Sequence, residues 1–302
     1  MGGSGASAGL GLISAVSWGG SDFVGGLGAR RAPALLVVVS GQILSLATLV
    51  ALCLELRVPA PDRHYLIYAI VGGFEGSLAL AAFYQALAMG AMGLTAALTG
   101  LLTALVPVVF SLWHEGLPDP LNLAGLAAGC AAIWLITHQR ASRTSASPPK
   151  ALLLGALAGA AFGSQLILLK LAGGGGILWA LTCTRAAGVT ALLLVLLAAR
   201  PFAALRALYS KRAPASDRAT SSPRPRRSFL WIALLAGTLD TCGNLFYLRS
   251  ALAGRLAVAA LVASLYPGVT ILLAALVLRE YPTRRQIAGM ALALAAVVML
   301  SA

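Results

Sequence analysis

Four ionisable side chains lie well inside long apolar runs of this 302-residue chain: Asp22, Glu75, Arg185 and Asp240. A charge at the centre of a membrane costs on the order of 2.5–3.5 kcal/mol on insertion scales, so such residues are functional candidates by default. Carboxylates in this setting can bind protons or cationic groups, and an arginine presents a fork that suits carboxylate or phosphate. These four residues are therefore the first candidates for a binding and proton-transfer site.

A structural role is the alternative for each of them. The acids can serve as partners of Arg185 or of helix-end amides, and Arg185 either holds an anionic substrate group or neutralises Asp22 or Asp240. Asp22 lies in "SWGGSDFVGG", where glycine pairs permit a bend or close helix packing. We predict that Asp22, Glu75 and Asp240 take part in proton coupling, and that Glu75 and Asp240 face one central cavity.

Polar and aromatic residues on neighbouring runs extend the candidate site. Asn244 follows Asp240 by one helical turn and either bonds substrate or orients that carboxylate. Thr95, Thr99 and Thr103 share one helix face, which either lines a polar path or packs against another helix. The predicted substrate-binding residues are Arg185, Asp240, Asn244, Glu75, Gln42, Thr99, Tyr84 and Trp18. Tyr84 has core packing as its alternative.

The composition excludes a soluble domain. Hydrophobic residues make up 59% of the chain and charged residues 10%, and the mean hydropathy is +0.89. Apolar runs of about 20 residues recur throughout, as repeated crossings of a bilayer require, whereas a membrane β-barrel shows shorter alternating segments. We predict an all-α polytopic membrane protein with about ten spans, at 9–28, 34–54, 65–87, 93–113, 121–138, 151–171, 177–199, 229–249, 256–278 and 285–301.

The two halves of the chain resemble each other. "AAFYQALAMG" matches "NLFYLRSALAG", "LLTALVPVVF" matches "LVASLYPGVT", and the "SWGGSDF" segment aligns loosely with "AFGSQLI". Together with the match of "HEGLP" to "REYP", they pair Gly19 with Gly163, Pro107 with Pro267 and Glu115 with Glu280. The predicted domains are a five-helix repeat at 1–139, a linker at 140–150, and a second repeat at 151–302 that contains a basic loop at 200–228.

An odd number of spans per repeat has a topological consequence. Two copies of a five-helix unit in one membrane must run in opposite senses, as an inverted repeat. Inverted repeats are typical of secondary transporters, whose substrate site lies near the midplane between the repeats. Pro107 and Pro267 each remove a backbone hydrogen bond in mid-span. We predict that they act as hinges, and static bends that shape the bundle are the alternative. The shorter distance from Pro107 to Glu115 predicts that the fourth span ends about a turn earlier than the ninth.

The doubled motifs resemble the drug/metabolite transporter superfamily in its EamA-like, ten-span branch. The resemblance covers nearly the whole chain except 140–150 and 200–228. It implies a basket of helices around a central cavity and transport of small metabolites such as amino acids, often by export. Three intramembrane acids against one arginine favour cationic or zwitterionic ligands.

Basic residues orient the chain in the cell membrane. The net charge of +13 comes mainly from the connections 29–33, 139–150, 200–228 and 279–284. The positive-inside rule puts these connections in the cytoplasm and both termini outside, although the superfamily resemblance implies termini inside. No basic face with interleaved aromatic residues is present, so nucleic acid is not an expected partner. The expected partners are a small-molecule substrate, the lipid bilayer and protons, with the chain as monomer or homodimer.

Other function classes lack their motifs. A membrane-embedded lipid-modifying enzyme or a lipid flippase is the alternative. However, aspartate-rich diphosphate motifs, His-rich boxes and HExxH are missing from the sequence. A primary pump would need a GxxxxGK[ST] loop, which is also missing. The four cysteines form no CxxC pair. We therefore expect no catalytic residues, no metal and no cofactor.

Overall fold

The computed structural model describes residues 2–29, 34–88, 92–137, 149–210, 227–279 and 282–301. Within these ranges all regular structure is α-helical. The helices are α1 (Gly2–Ala29), α2 (Ala34–Glu55), α3 (Arg63–Ala88), α4 (Met92–His114), α5 (Pro120–Thr137), α6 (Pro149–Gly173), α7 (Ile177–Ser210), α8 (Arg227–Ala253), α9 (Leu256–Ala263), α10 (Tyr266–Leu278) and α11 (Arg284–Ser301).

Each predicted span is occupied by helix, and the ninth is divided. Helices α9 and α10 share it, with a turn at Ser264 and Leu265 between them. Helix α7 continues to Ser210 and so includes the front of the basic segment predicted at 200–228. The different lengths after the two prolines are confirmed: α4 ends at His114, whereas α10 continues to Leu278.

The helices have the length and apolarity of a polytopic membrane protein. Among the described residues, six stretches are long and apolar enough to cross a membrane: Arg63–Phe83, Pro120–Thr137, Pro149–Gly173, Ile177–Val195, Leu256–Leu278 and Arg284–Ser301. Two shorter apolar stretches, Val39–Glu55 and Leu98–His114, accompany them. Their large side chains point outward as well as inward, as in Leu54, which is 72% exposed, because lipid is as apolar as the core.

Helices α1 and α8 are joined by serines at heptad spacing. Each serine hydroxyl donates to a main-chain carbonyl of α8: Ser7 to Ser250 at 3.0 Å, Ser14 to Gly243 at 2.8 Å, and Ser21 to Ala236 at 2.9 Å. The partner numbers fall as the serine numbers rise, so the two helices run antiparallel. Small hydroxyl side chains let two helices approach closely inside a membrane while every hydrogen bond is satisfied.

Corresponding helices of the two halves pack in a symmetric pattern. α1 lies against α8, and their repeat mates α6 and α3 lie against each other. The mates α5 and α11 also pack together, with Gly125 near Leu300 and Gly289 near Ile136. These contacts show that α5 and α11 run antiparallel. Mates related by an axis along the membrane normal would be parallel, so this packing is what an inverted repeat requires.

Two glycines of the repeat mates α3 and α8 allow close helix approaches. A Cβ on Gly73 of α3 would overlap the carbonyl of Thr184 on α7. A Cβ on Gly237 of α8 would lie 2.5 Å from the carbonyl oxygen of Gly41 on α2. Because α3 and α8 are mates, as are α7 and α2, the two contacts are equivalent and give the register between the halves.

Helix α9 forms the centre of the core. All eight of its residues are buried, and they join two apolar clusters that include α4, α5 and α11 on one side and α6, α7 and α8 on the other. The neighbouring Tyr247 is 0% exposed, and its hydroxyl donates to the Leu166 carbonyl at 2.8 Å. A short, fully buried helix therefore spans the interior between the two halves.

The two ends of the bundle carry different connections. Trp179 donates to the Val58 carbonyl at 3.1 Å, and Arg255 donates to the Gly116 carbonyl. These contacts gather the connections 56–62, 115–119, 174–176 and 254–255 at one end, which we call the Glu115 end. The helix termini Ala29, Thr137, Ser210 and Leu278 lie at the other end, which we call the basic end because the basic connections follow these residues.

Candidate functional site

A cavity of about 460 Å³ lies between the two halves. Residues from nine of the helices line it, including Trp18 and Asp22 of α1, Gln42 of α2, Thr99 of α4, Arg185 of α7, and Asp240 and Asn244 of α8. The structure thus brings together seven of the residues predicted for the site, from both repeats. This volume suits a small organic molecule, since ligand pockets of proteins typically begin at about 300 Å³.

Arg185 and Asp240 form an ion pair in the cavity wall. Arg185 Nη2 lies 2.6 Å from Asp240 Oδ2, and their side chains are 12% and 36% exposed. Of the roles predicted for Arg185, this ion pair favours neutralisation of Asp240 over binding of an anionic substrate group. Asn244 donates to the main-chain carbonyl of Asp240 at 2.8 Å, so its amide does not orient the carboxylate.

Asp22 is the second carboxylate of the cavity. Its side chain is exposed to the cavity, and it is close enough to Asp240 for the two charges to repel each other. No ion pair to Asp22 is formed by a residue within the described ranges. Two carboxylates and one guanidinium of the described residues therefore share this space, and the guanidinium pairs with Asp240 rather than with Asp22.

Glu75 lies elsewhere, and the prediction that it faces the cavity is wrong. It is not among the lining residues, and its carboxylate accepts a hydrogen bond of 3.0 Å from Ser164 of α6. Its neighbours Gly73 and Gly76 do line the cavity, so the helix is placed as expected but the side chain is on another face. The side chain of Tyr84 lies outside the described residues.

Aromatic rings form the apolar walls. Trp18 stacks on Tyr247 at a centroid distance of 5.8 Å and meets Tyr266 edge-on at 6.2 Å. Phe83 of α3 and Phe162 of the adjacent helix α6 form a T-shaped pair at a centroid distance of 6.4 Å. Trp18, Tyr266 and both phenylalanines line the cavity, which therefore combines a charged wall with aromatic surfaces.

The threonines of α4 serve helix packing as well as the cavity. Thr99 donates to the Gly155 carbonyl at 2.8 Å, and Thr103 donates to the carbonyl of Thr99 at 2.9 Å. The packing alternative for this face is thus confirmed, because Thr99 joins α4 to α6. Both threonines also line the cavity. The side chain of Thr95 lies outside the described residues.

The two proline positions differ in structure. Pro107 lies inside the continuous helix α4, where it is buried. Pro267 lies in the first turn of α10, directly after the break in the ninth span. Proline fits a first turn because the N–H that it lacks has no intrahelical partner there. Their role as hinges stays a prediction.

Two cavity hydroxyls were missed by the sequence analysis. Ser264, at the break between α9 and α10, is 3% exposed, and Thr184 precedes Arg185 on α7. Both line the cavity, and neither hydroxyl oxygen has a hydrogen-bond partner among the described residues. The signal for Ser264 was a polar residue three positions before the mid-span Pro267, since a proline ring clashes with the carbonyl of the residue four positions earlier and so breaks a helix in this turn.

Comparison with known proteins gives the fold and the family. No curated protein is significantly similar to this chain in sequence. A crystal structure of another protein matches it over 97% of this chain and 95% of its own, with a TM-score of 0.64 and 18% sequence identity, which shows a shared fold. Residues 149–302, slightly more than half of the chain, match the model of the EamA-like transporter family. With its helical bundle and the cavity between its halves, this chain belongs to the EamA-like transporter family.

Proposed function

We propose that this membrane transporter is a secondary active exporter of small metabolites, such as amino acids or amphipathic organic compounds, and that it works by alternating access. The cavity between the halves supports this proposal, because its lining residues come from both repeats. Binding in such a cavity lets the two halves move about a fixed substrate site.

The charges of the cavity favour substrates with a positive group. Asp22 and Asp240 line it with Arg185 as their one counter-charge among the described residues. An ammonium group beside Asp22 would balance the remaining negative charge. The rings of Trp18 and Tyr266 would contact the apolar part of the substrate, and they can also attract its cation.

The same carboxylates support coupling to protons. A proton and a cationic substrate group would compete for Asp22, so binding of one would favour release of the other. This competition converts a proton gradient into substrate flux by differential affinity in the two open states. Glu75 contributes less to this part of the proposal, because its carboxylate accepts a hydrogen bond from Ser164 outside the cavity lining.

The charge of the two ends supports an orientation. The connections that follow Ala29, Thr137, Ser210 and Leu278 hold most of the loop Lys and Arg. The positive-inside rule places this basic end in the cytoplasm, and with it both chain termini outside the plasma membrane.

Flux into proteoliposomes tests the proposal. We expect flux of at least one member of a panel of amino acids, sugars and organic cations, with a rate that changes between two opposed pH gradients. Asp22→Asn should abolish the dependence on the gradient, because an amide binds no proton near neutral pH. Asp119→Asn is the matched control, since Asp119 is exposed in a connection and bonds Asn122.

Two results would contradict the proposal. Flux of no panel member with protein that is folded by size-exclusion chromatography would refute transport of these substrate classes. Equal pH dependence in the Asp22→Asn variant and the unmodified protein would refute proton coupling through Asp22.

A further inference from the structure

Glu115 joins three parts of the chain at the Glu115 end of the bundle. It follows the last residue of α4, and its carboxylate lies 2.5 Å from Lys170 Nζ near the end of α6. Ser111 donates to the same carboxylate at 2.6 Å. The Leu256 N–H, at the start of α9, lies 3.2 Å and 3.4 Å from the two carboxylate oxygens.

Arg255 completes the cluster. Its Nε lies 4.0 Å from Glu115 Oε2, and its Nη2 donates to the carbonyl of Gly116. The side chains of Glu115, Lys170 and Arg255 are 21%, 23% and 31% exposed, so the cluster is only partly open to solvent. We call Glu115, Lys170 and Arg255 the interrepeat cluster, because Glu115 belongs to the first predicted repeat and both cations belong to the second.

Glu115 caps a helix of the other repeat. It lies in the connection before α5, but its carboxylate accepts from the Leu256 N–H at the start of α9. A carboxylate at a helix N-terminus is stabilised by the helix dipole and by the N–H groups there. Lys170 would extend toward the membrane interface if it had no partner, but its ammonium contacts Glu115.

Helix α9 connects the interrepeat cluster to the cavity. It runs from Leu256, which Glu115 caps, to Ala263, and Ser264 of the cavity lining follows directly. Its eight residues span about 12 Å at 1.5 Å per residue. A movement of α9 along or away from its neighbours would therefore change both the contact with Glu115 and the position of Ser264.

The interior is closed between this cluster and the cavity. Tyr247, Leu248 and Leu256 are each 0% exposed, and they pack in one apolar cluster with residues of α3, α6 and α7. A substrate cannot pass this layer without separating the helices that form it. The interrepeat cluster holds those helices together at their ends.

The other end has no equivalent cluster in the sequence. The repeat mate of Glu115 is Glu280, but Gly26 stands at the position that corresponds to Lys170. The positions that correspond to Arg255 are 90–92, "GAM", and they contain no cation. The two cations of the interrepeat cluster thus have no equivalent at the corresponding positions of the sequence.

We propose that Glu115, Lys170 and Arg255 form a latch between the repeats, which holds the Glu115 end of the cavity shut and opens in each transport cycle. This inference rests on the proposed alternating-access function. Glu115 is a positioning residue, because it acts on the cavity through α9 and the buried layer. The ionised form of Glu115 supports the latch: burial raises its pKa, but hydrogen bonds from Lys170 and Ser111 and the Lys170 charge lower the pKa below its usual value.

Thiol labelling from each side of the membrane tests the latch without a substrate. Cys53, Cys130, Cys183 and Cys242 are first replaced by alanine, and Leu169, which lines the cavity and is 2% exposed, becomes a reporter as Leu169→Cys. A membrane-impermeant maleimide is then added to one face of the proteoliposomes at a time. Glu115→Gln should raise the labelling rate from the Glu115 end by about tenfold, which corresponds to roughly 1.4 kcal/mol.

Three further variants separate a latch from general loosening. Asp119→Asn removes an exposed carboxylate from the same connection and should leave labelling unchanged. Lys170→Gln should raise labelling as Glu115→Gln does, and the double variant should add little to either, since both changes break one interaction. Lys170→Gln also serves as the test variant if Glu115→Gln does not fold.

The outcomes are distinct. Unchanged labelling in folded Glu115→Gln or Lys170→Gln protein, or an equal increase in Asp119→Asn, would overturn the latch. An increase only from the basic end would overturn it as well. The protein could also show the expected increase in labelling but transport no panel substrate. That result would support the latch and would count against the proposed substrates.

Discussion

Helices α3 and α8 are repeat mates, yet they present their carboxylates to different surroundings. Asp240 of α8 pairs with Arg185 at the wall of the cavity. Glu75 of α3 accepts a hydrogen bond from Ser164 and is not a lining residue. The two helices have the same length within one residue and make equivalent contacts through Gly73 and Gly237.

The register of the glycines explains the difference. With Gly73 aligned on Gly237, Asp240 aligns with Gly76, and Glu75 aligns with Leu239. A step of one residue turns a side chain by about 100° around an α-helix. Gly76 accordingly lines the cavity, and Glu75 does not. The repeats therefore share a scaffold, while the charged side chains of the site are placed independently in each half.

Removal of the acid from α8 should have the largest effect. Asp240→Asn should reduce flux of the best panel substrate about tenfold or more, because it takes a charge from the cavity and leaves Arg185 unpaired. Loss of a charged partner costs about 1–3 kcal/mol in stability. Glu75→Gln should change flux less than about twofold, since a glutamine oxygen still accepts from Ser164. Proteoliposome flux and thermal unfolding in detergent measure both.

The double variant Asp240→Asn, Arg185→Gln is the control for stability. It removes the unpaired charge and should recover thermal stability without recovering flux. Equal flux losses in Asp240→Asn and Glu75→Gln would show that the difference between α3 and α8 has no functional meaning.

The shared scaffold can be broken in either half. Gly73→Ala and Gly237→Ala should each lower the free energy of unfolding by about 1–3 kcal/mol, because a Cβ would meet the backbone of the adjacent helix. Gly25→Ala is the matched control, since a Cβ at Gly25 meets no described atom within 4 Å. Thermal unfolding in detergent checks the prediction, which fails if Gly237→Ala is as stable as Gly25→Ala.

Glu115, which follows α4, should contribute more to stability than Glu280, which follows α10. We expect this effect to be smaller than those of the glycine variants. The pKa of Glu115 is lowered in the folded protein, so its stabilising contribution is present above the pKa of the unfolded chain and is lost as pH falls through the folded pKa. Glu115→Gln should therefore lower the melting temperature near pH 7, with the difference shrinking toward pH 3. Glu280→Gln should lower the melting temperature less, because the position that corresponds to Lys170 is occupied by Gly26. An equal loss at both pH values would exclude the ionic contribution.

Much of the architecture could be predicted because it depends on composition and length. Apolar runs of membrane length give the positions of the helices, and the doubled motifs give the pairing of the halves. The unequal distances after Pro107 and Pro267 correctly indicate where α4 and α10 end. These features depend on the chain itself and need no knowledge of which residues meet in space.

The details of the site depend on rotation and on contacts between distant segments. The sequence motifs did not show that Glu75 and Asp240 lie on different faces of their helices. The partners of Glu115 lie 55 and about 140 residues away in the chain, so the sequence around Glu115 did not show its contact with α9. Ser264 lines the cavity at the break between α9 and α10, and the sequence predicts one continuous span there.

The pairing of α1 with α8 has a consequence for biogenesis. Ser7 and Ser250, which bond each other, are separated by 243 positions, and Ser14 and Ser21 also reach across more than 200. The first helix therefore enters the bilayer long before its main partner has been synthesised. Its serine hydroxyls must bond the main chain of their own helix or another temporary partner until Arg227–Ala253 arrives. Assembly of this transporter is thus completed after most of the chain has left the ribosome, and a truncated first half would lack the surface that α1 is built to contact.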